Sequence, residues 1–160
     1  MISATLFEVE PPIPHPADNP VQATQENLVG PNATKILIAD DSEDNRYLIS
    51  AYLNKEPYEL TFVENGHEAL ETFSTHAFDL VLMDIQMPIM DGLEATVSIR
   101  ALETQRGVPS IPILALSANA RREDADLSHA AGCTTHVSKP ISKERLIAAI
   151  ESFRQRVALE

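Results

Sequence analysis

The sequence predicts an α/β fold built on a parallel sheet, and three observations carry that prediction. From Lys35 onward, five short apolar runs alternate with five segments of helical periodicity, the rhythm of βαβ units with right-handed crossovers. The first and third runs, Lys35–Ala39 and Asp79–Met83, are nearly continuous aliphatic stretches, as expected of strands buried on both faces. Charged residues stand at the ends of three runs: Asp40 and Asp41 after the first, Asp84 after the third and Lys139 after the fifth. Ligands of open α/β sheets bind at the carboxyl ends of the strands, so these residues describe one site assembled from distant segments.

The elements follow in order. The first helix starts near Ser42, a capping residue, places Leu48, Ala51 and Tyr52 on one face, and stops before Pro57. The second strand, Glu59–Val63, alternates like an edge strand. A short second helix opens at Asn65 with Glu68 at the capping-box position and buries Ala69, Leu70 and Phe73. The third helix opens at Asp91, with Glu94 again at the box position, after the turn Met87–Gly92, and ends near Gly107.

The fourth strand is read as Ile111–Leu116, with Pro112 near its start, where a missing N–H is tolerated. The fourth helix, roughly Ala120 to Ala131, ends at Gly132; it is polar, has Leu127 as its only large apolar residue, and is expected to be the loosest element. The fifth strand is Thr134–Ser138. The last helix, from Ser142 to about Val157, aligns Leu146, Ile150 and Phe153 on one stripe. With three residues left after Val157, no output domain is expected to follow.

Residues 1–34 carry Pro11, Pro12, Pro14, Pro16, Pro20 and Pro31 and few large apolar residues after Phe7. Such a stretch cannot bury enough surface to order itself, so it reads as a flexible, partly polyproline-like leader. A solvated tail and a docking segment that grips a partner through Met1–Phe7 both remain open.

A length of 160 residues with 44% apolar content is enough for one compact core. No apolar run approaches the roughly 20 residues of a membrane span. The absence of Lys or Arg before Lys35 and of a long apolar segment argues against a secretory signal, so a cytoplasmic location is expected. The lone Cys133 fits a reducing compartment and reads as a small packing residue. A net charge of −12 disfavours nucleic-acid binding, which needs clustered Lys and Arg.

Carboxylates at Asp40, Asp41 and Asp84 that share one site repel, each pair at ~4 Å costing roughly 4 kcal/mol at an effective dielectric near 20. Something positive must sit among them. An all-oxygen site suits Mg²⁺, and Lys139 adds a fixed ammonium. A phosphoryl group on Asp84 would meet positive charge on both sides. Ser117, at the end of the fourth strand, and the Ala118 N–H add donors at the same rim. A single strand-end Asp often only caps a helix, but the whole set at several strand ends does not fit that reading.

These residues resemble the receiver domain of two-component response regulators. The resemblance covers residues 35–156 and stands on Ile38–Ser42, Val81–Gly92, Leu114–Asn119 and His136–Pro140, with the Asp84–Gly92 and Ser117–Ala120 stretches most similar to receivers of hybrid sensor kinases and phosphorelays. It implies a flavodoxin-like (βα)5 fold of strand order 2-1-3-4-5 over a domain at 35–157. It implies that Asp84 accepts a phosphoryl group from a phosphohistidine on a sensor histidine kinase or histidine phosphotransfer protein. Asp41, Asp84 and the Gln86 backbone carbonyl would bind Mg²⁺, with Asp40 acting mostly through water. Ser117 and Lys139 would hold the phosphoryl oxygens, and the Lys139–Pro140 peptide would be cis. Gln86 and Asn119 stand where residues tune the lifetime of the acyl phosphate, expected here to be minutes rather than many hours. Output would pass through the fourth helix, fifth strand and fifth helix to a downstream protein, with Ser117 and His136 at the switch positions.

One departure is His136, where the family usually carries Tyr or Phe. It reads first as a passive, half-buried replacement; the sharper reading is that protonation of the imidazole biases the switch. Two other functions compete. A phosphohydrolase of the haloacid-dehalogenase kind needs a second Asp two residues after the nucleophile, where this chain has Gln86. A degenerate receiver that docks partners without phosphorylation is opposed by the intact Asp40, Asp41, Asp84, Ser117 and Lys139. A stand-alone regulator and a receiver fragment of a hybrid kinase stay open.

Overall fold

The computed structural model describes residues 33–119 and 121–157. Most of the leader predicted over 1–34, and Ala120 at the predicted start of the fourth helix, lie outside the described residues. Five parallel strands, β1 (Thr34–Ala39), β2 (Tyr58–Val63), β3 (Leu80–Asp84), β4 (Ile113–Ser117) and β5 (Thr135–Ser138), form one sheet in the order β2-β1-β3-β4-β5. They alternate with α1 (Glu43–Leu53), α2 (Gly66–Thr75), α3 (Gly92–Arg106), α4 (Arg122–Ala131) and α5 (Lys143–Val157). This is the doubly wound, flavodoxin-like arrangement that the alternation and the resemblance predict.

Side chains alternate across the sheet and divide the core in two. Ile36, Ile38, Leu82 and Leu116 face Ile49 and Leu53 of α1 and Leu146, Ile150 and Phe153 of α5. Leu37, Ala39, Met83 and Ala115 face Ala69 and Phe73 of α2 and Ala95 and Ile99 of α3. The Leu146, Ile150 and Phe153 stripe is buried as predicted.

The face assigned to α1 is corrected. Leu48 is 42% exposed and Ala51 is exposed, while Ile49 and Leu53, one turn apart, are buried. The run Tyr47–Leu53 is apolar almost all round, so periodicity alone does not choose its inner face. Ser42 does cap this helix, accepting from the Asn45 N–H at 3.4 Å.

The capping box of α3 is complete, and Gly107 closes that helix in the left-handed conformation. At α2 only half of the box forms: Asn65 accepts from the Glu68 N–H, but the Glu68 carboxylate accepts from the Glu64 N–H instead of from Asn65. Leu70, read as buried, is half-buried.

β4 starts two residues later than predicted. Pro112 has no N–H to give, and the Ile113 N–H goes to the Thr134 hydroxyl. The first helical residue of α4 is Arg122; Arg121 supplies no side-chain cap, and Leu127 is 58% exposed. The only side chain α4 buries is Ser128. Among the described residues, no helix is long and apolar enough to cross a membrane.

Candidate functional site

The parallel strands deliver their carboxyl ends to one rim, and the sequence-predicted residues meet there. β1 is followed directly by Asp40, fully buried, and Asp41, exposed; β3 ends on Asp84, 5% exposed. One oxygen from each of the three carboxylates lies within 4.8 Å of the others. Lys139, just past β5, donates from Nζ to Asp40 Oδ2 at 2.9 Å and pairs with Asp84 Oδ2 at 3.2 Å. The Lys139 N–H donates to the Ser117 carbonyl at 2.7 Å, and the Lys139–Pro140 peptide is cis.

Both oxygens of Asp40 are committed. Oδ2 holds Lys139, and Oδ1 accepts from the Ser42 N–H at 2.9 Å and from Asn45 Nδ2 at 3.3 Å. Arg46 donates to the Asp40 carbonyl and pairs with Glu64, tying the tip of β1 to that of β2. Asp84 Oδ1 accepts only a longer bond, 3.3 Å, from the Gln86 N–H.

The electrostatics follow from this unequal sharing. Burial pushes the Asp84 carboxyl above the usual carboxylate range; Lys139 pulls it back, and the negative charge of Asp40 pushes it up again. Burial alone would lower the Lys139 ammonium, but the hydrogen bond to Asp40 and the charge of Asp84 outweigh it and raise its pKa. The two shifts agree once the distances are compared, because Lys139 sits closer to Asp40 and leaves Asp84 under-compensated. Three carboxylates and one ammonium carry a formal charge of −2. Clustered hard oxygen donors with that deficit fit a divalent cation of the Mg²⁺ type.

Ser117 is buried at the end of β4, but its hydroxyl turns away from the carboxylates: it donates to the Asn119 carbonyl and accepts from the Asn119 N–H. Gln86, Ala118 and Asn119 are exposed on the rim. His136 is half-buried on the face of β5 opposite to Val137, beneath α4, with Nδ1 3.5 Å from the Ser128 hydroxyl.

The reading from sequence missed three supports. Asn45 and Arg46 hold Asp40 from the first turn of α1, and no spacing rule marks them. Gly92, quoted only as part of a motif, brings α3 against the Asp84 backbone. A Cβ there would lie 2.0 Å from the Asp84 carbonyl oxygen.

Comparison with known proteins gives a consistent result. The response regulator receiver domain family matches residues 36–151. The sensor protein GacS of Pseudomonas syringae pv. syringae is 39% identical over 118 residues, covering 74% of this chain but 13% of GacS. The response regulator DivK of Brucella anthropi is 36% identical over 118 residues, covering 74% of this chain and 94% of DivK. Among solved structures, the receiver domain of the sensor histidine kinase PA1611 from Pseudomonas aeruginosa PAO1, which has a magnesium ion coordinated in its active-site cleft, superposes with a TM-score of 0.68. It is 32% identical, covering 76% of this chain and 97% of that one. The Saccharomyces cerevisiae complex of the receiver domain of Ssk1 with the histidine phosphotransfer protein Ypd1 gives a TM-score of 0.72 at 27% identity, covering 76% and 88%.

Proposed function

The chain belongs to the response regulator receiver family, phosphoacceptors of two-component signalling, and on that premise we propose that Asp84 is its phosphoacceptor. The observation that supports this most is the under-compensated Asp84 carboxylate, 3.2 Å from Lys139 and beside Asp40 and Asp41. In the proposed step an Asp84 carboxylate oxygen attacks the phosphorus of a phosphohistidine. The P–N bond breaks, the imidazole leaves with its electron pair, and an aspartyl phosphate forms.

Asp41 and Asp84, with the Gln86 carbonyl, would hold Mg²⁺. Asp40, whose oxygens are already occupied, would act through water. The bound ion would supply positive charge opposite the phosphoryl oxygens. Lys139 supplies the ammonium on the other side. Ser117 takes part only after its hydroxyl leaves Asn119, and that rearrangement at the tip of β4 would pass to β5 and α4. Gln86 and Asn119, both exposed polar amides at the rim, orient the water that ends the phosphorylated state within minutes.

The fold unit for this role is 35–157. Its donors are a sensor histidine kinase or a histidine phosphotransfer protein, and its output surface is α4, β5 and α5, acting on a protein in the cytoplasm without turnover of a substrate. A second reading, a receiver segment within a longer hybrid kinase, is favoured by the small share of GacS that the chain spans. Mass spectrometry after acetyl phosphate and Mg²⁺ tests the central reading. One phosphoryl group on Asp84 is expected in wild type and none in Asp84→Asn; equal labelling of both would refute it.

A further inference from the structure

At the end of the sheet remote from the acidic rim, where the strands begin, the α2–β3 and α3–β4 connections enclose a cleft of about 340 Å³. That volume lies within the range of pockets that hold ligands. Its apolar wall is Phe73, Phe78, Val108 and Ile111, with the two phenyl rings stacked at 6.4 Å. Phe78 and Ile111 are only half-buried and Val108 is 49% exposed, so apolar surface is left open there among the described residues.

The rim of the cleft is basic, although the chain as a whole has a net charge of −12. Arg106 donates from Nη2 to the Ser74 carbonyl, which engages one of its donors, and among the described residues no carboxylate pairs with it. His76 stands beside Phe78, its Nδ1 against the Thr75 hydroxyl. Among the described lining residues the one carboxylate, Glu103, is spent elsewhere: it accepts from the Ile111 N–H and pairs with Arg100. An apolar wall beside an unneutralised guanidinium selects apolar side chains with carboxylates next to them.

The chain carries such a segment, tethered close by. Residues 1–33 hold Glu8, Glu10, Asp18 and Glu26, no Lys or Arg, and one aromatic residue, Phe7. In Phe7–Glu8–Val9–Glu10, apolar and acidic residues alternate. The leader joins β1 at Thr34, and the next residue is bonded to the margin of the cleft: the Lys35 N–H donates to the Asp79 carboxylate and its carbonyl accepts from the Asp79 N–H, both at 2.8 Å. Phe78 directly precedes Asp79. The 34 − 7 = 27 residue steps from Phe7 to Thr34 span up to ~90 Å, far more than this short distance requires. Tethering also makes docking an intramolecular step, so contacts too weak to hold a free peptide suffice.

We propose that the cleft is the docking site of the chain's own Phe7–Glu10, with Phe7 and Val9 against Phe78, Val108 and Ile111 and the flanking carboxylates facing Arg106. Docked there, the leader covers the open apolar wall and is held away from Asp84, leaving the acidic rim clear for a phosphodonor. The docking itself stands whether or not Asp84 is the phosphoacceptor.

Amide NMR of the full chain tests it from both sides. Phe7→Ser combined with Val9→Ser should displace the amide signals of Ala77, Phe78 and Val108 and leave those of Asp40, Asp41 and Asp84 in place. Arg106→Gln should displace the amide signals of Glu8 and Glu10. Neither effect should change on dilution. Cleft amides that coincide in wild type and the double variant would leave the cleft free for another protein and overturn the proposal, as would leader amides that ignore Arg106→Gln. A displacement that fades on dilution would assign the contact to a second copy and overturn docking within the chain.

Discussion

Gly92→Ala should disable the site from behind, by pressing on the Asp84 backbone and leaving every side chain of the site unsubstituted. A Cβ at this position would lie 2.0 Å from the Asp84 carbonyl oxygen, 2.8 Å from its carbonyl carbon and 2.9 Å from Ile85 Cα, all backbone atoms at the end of a central strand. Ordinary contact begins at 3.4 Å, so the approach must open by 3.4 − 2.0 = 1.4 Å. Neither side yields readily. β3 is hydrogen-bonded between β1 and β4, and α3 is pinned by its capping box and by the Gly92 N–H donating to the Ile85 carbonyl. Overpacking of this kind costs roughly 3 kcal/mol, several times the helix-propensity gain of Ala over Gly. A displacement near 1 Å also takes Asp84 out of register with Lys139, enough for a loss of about 100-fold in phosphorylation rate. Urea unfolding should show a lower midpoint at unchanged m-value, and labelling by acetyl phosphate should be slow even where the variant is fully folded. Gly107→Ala is the control: it has φ +66 and no atom within 4 Å, so it should lose only about 1 kcal/mol and label normally. A Gly92→Ala protein as stable and as reactive as wild type would refute the reasoning.

Three further outcomes are expected. Ile89 is a β-branched residue held at φ 72 with its side chain 82% exposed, so Ile89→Asn should raise stability by about 1 kcal/mol in thermal or urea unfolding. The folded chain holds the acid form of Asp84 more tightly than the unfolded chain does, so ionising this group costs stability as pH rises through the usual Asp range and beyond. Asp84→Asn should therefore be more stable than wild type at pH 7, with the advantage shrinking toward pH 4, and Mg²⁺ should raise the melting temperature of wild type more than that of the variant. Glu103 is 1% exposed, accepts from the Ile111 N–H and pairs with Arg100, so Glu103→Ala should cost about 3 kcal/mol in urea unfolding while leaving Asp84 reactive.

What the sequence made legible was whatever depends on neighbours along the chain. The strands at Thr34–Ala39 and Leu80–Asp84 were readable to within a residue because both their faces are buried and the runs are unbroken. Asp91, Glu94 and Gly107 marked the ends of α3 through local hydrogen bonds. The grouping of Asp40, Asp84 and Lys139 was legible from topology, since parallel strands bring their carboxyl ends to one rim. Illegible were features fixed by approach in space. The inner face of α1 was not marked, because Leu48 and Ile49 differ little in character. Gly92 gave no sign of touching Asp84, Asn45 none of reaching Asp40, and Ser117 none of bonding to Asn119 instead of its acidic neighbours.

The shallow seat of α4 has a consequence for how such a protein diversifies. Arg121, Arg122, Glu123, Asp126, Leu127, His129 and Ala130 all point outward. Exchanges at positions like these usually change stability by no more than ~0.5 kcal/mol. Because α4 lies on the proposed output face, such exchanges would alter a docking surface without renegotiating the fold. On the opposite side of the sheet, Leu146, Ile150 and Phe153 of α5 are sunk in the core, so those three positions are not free to drift. Freedom to vary and duty to the core are thereby divided unequally between the two helices.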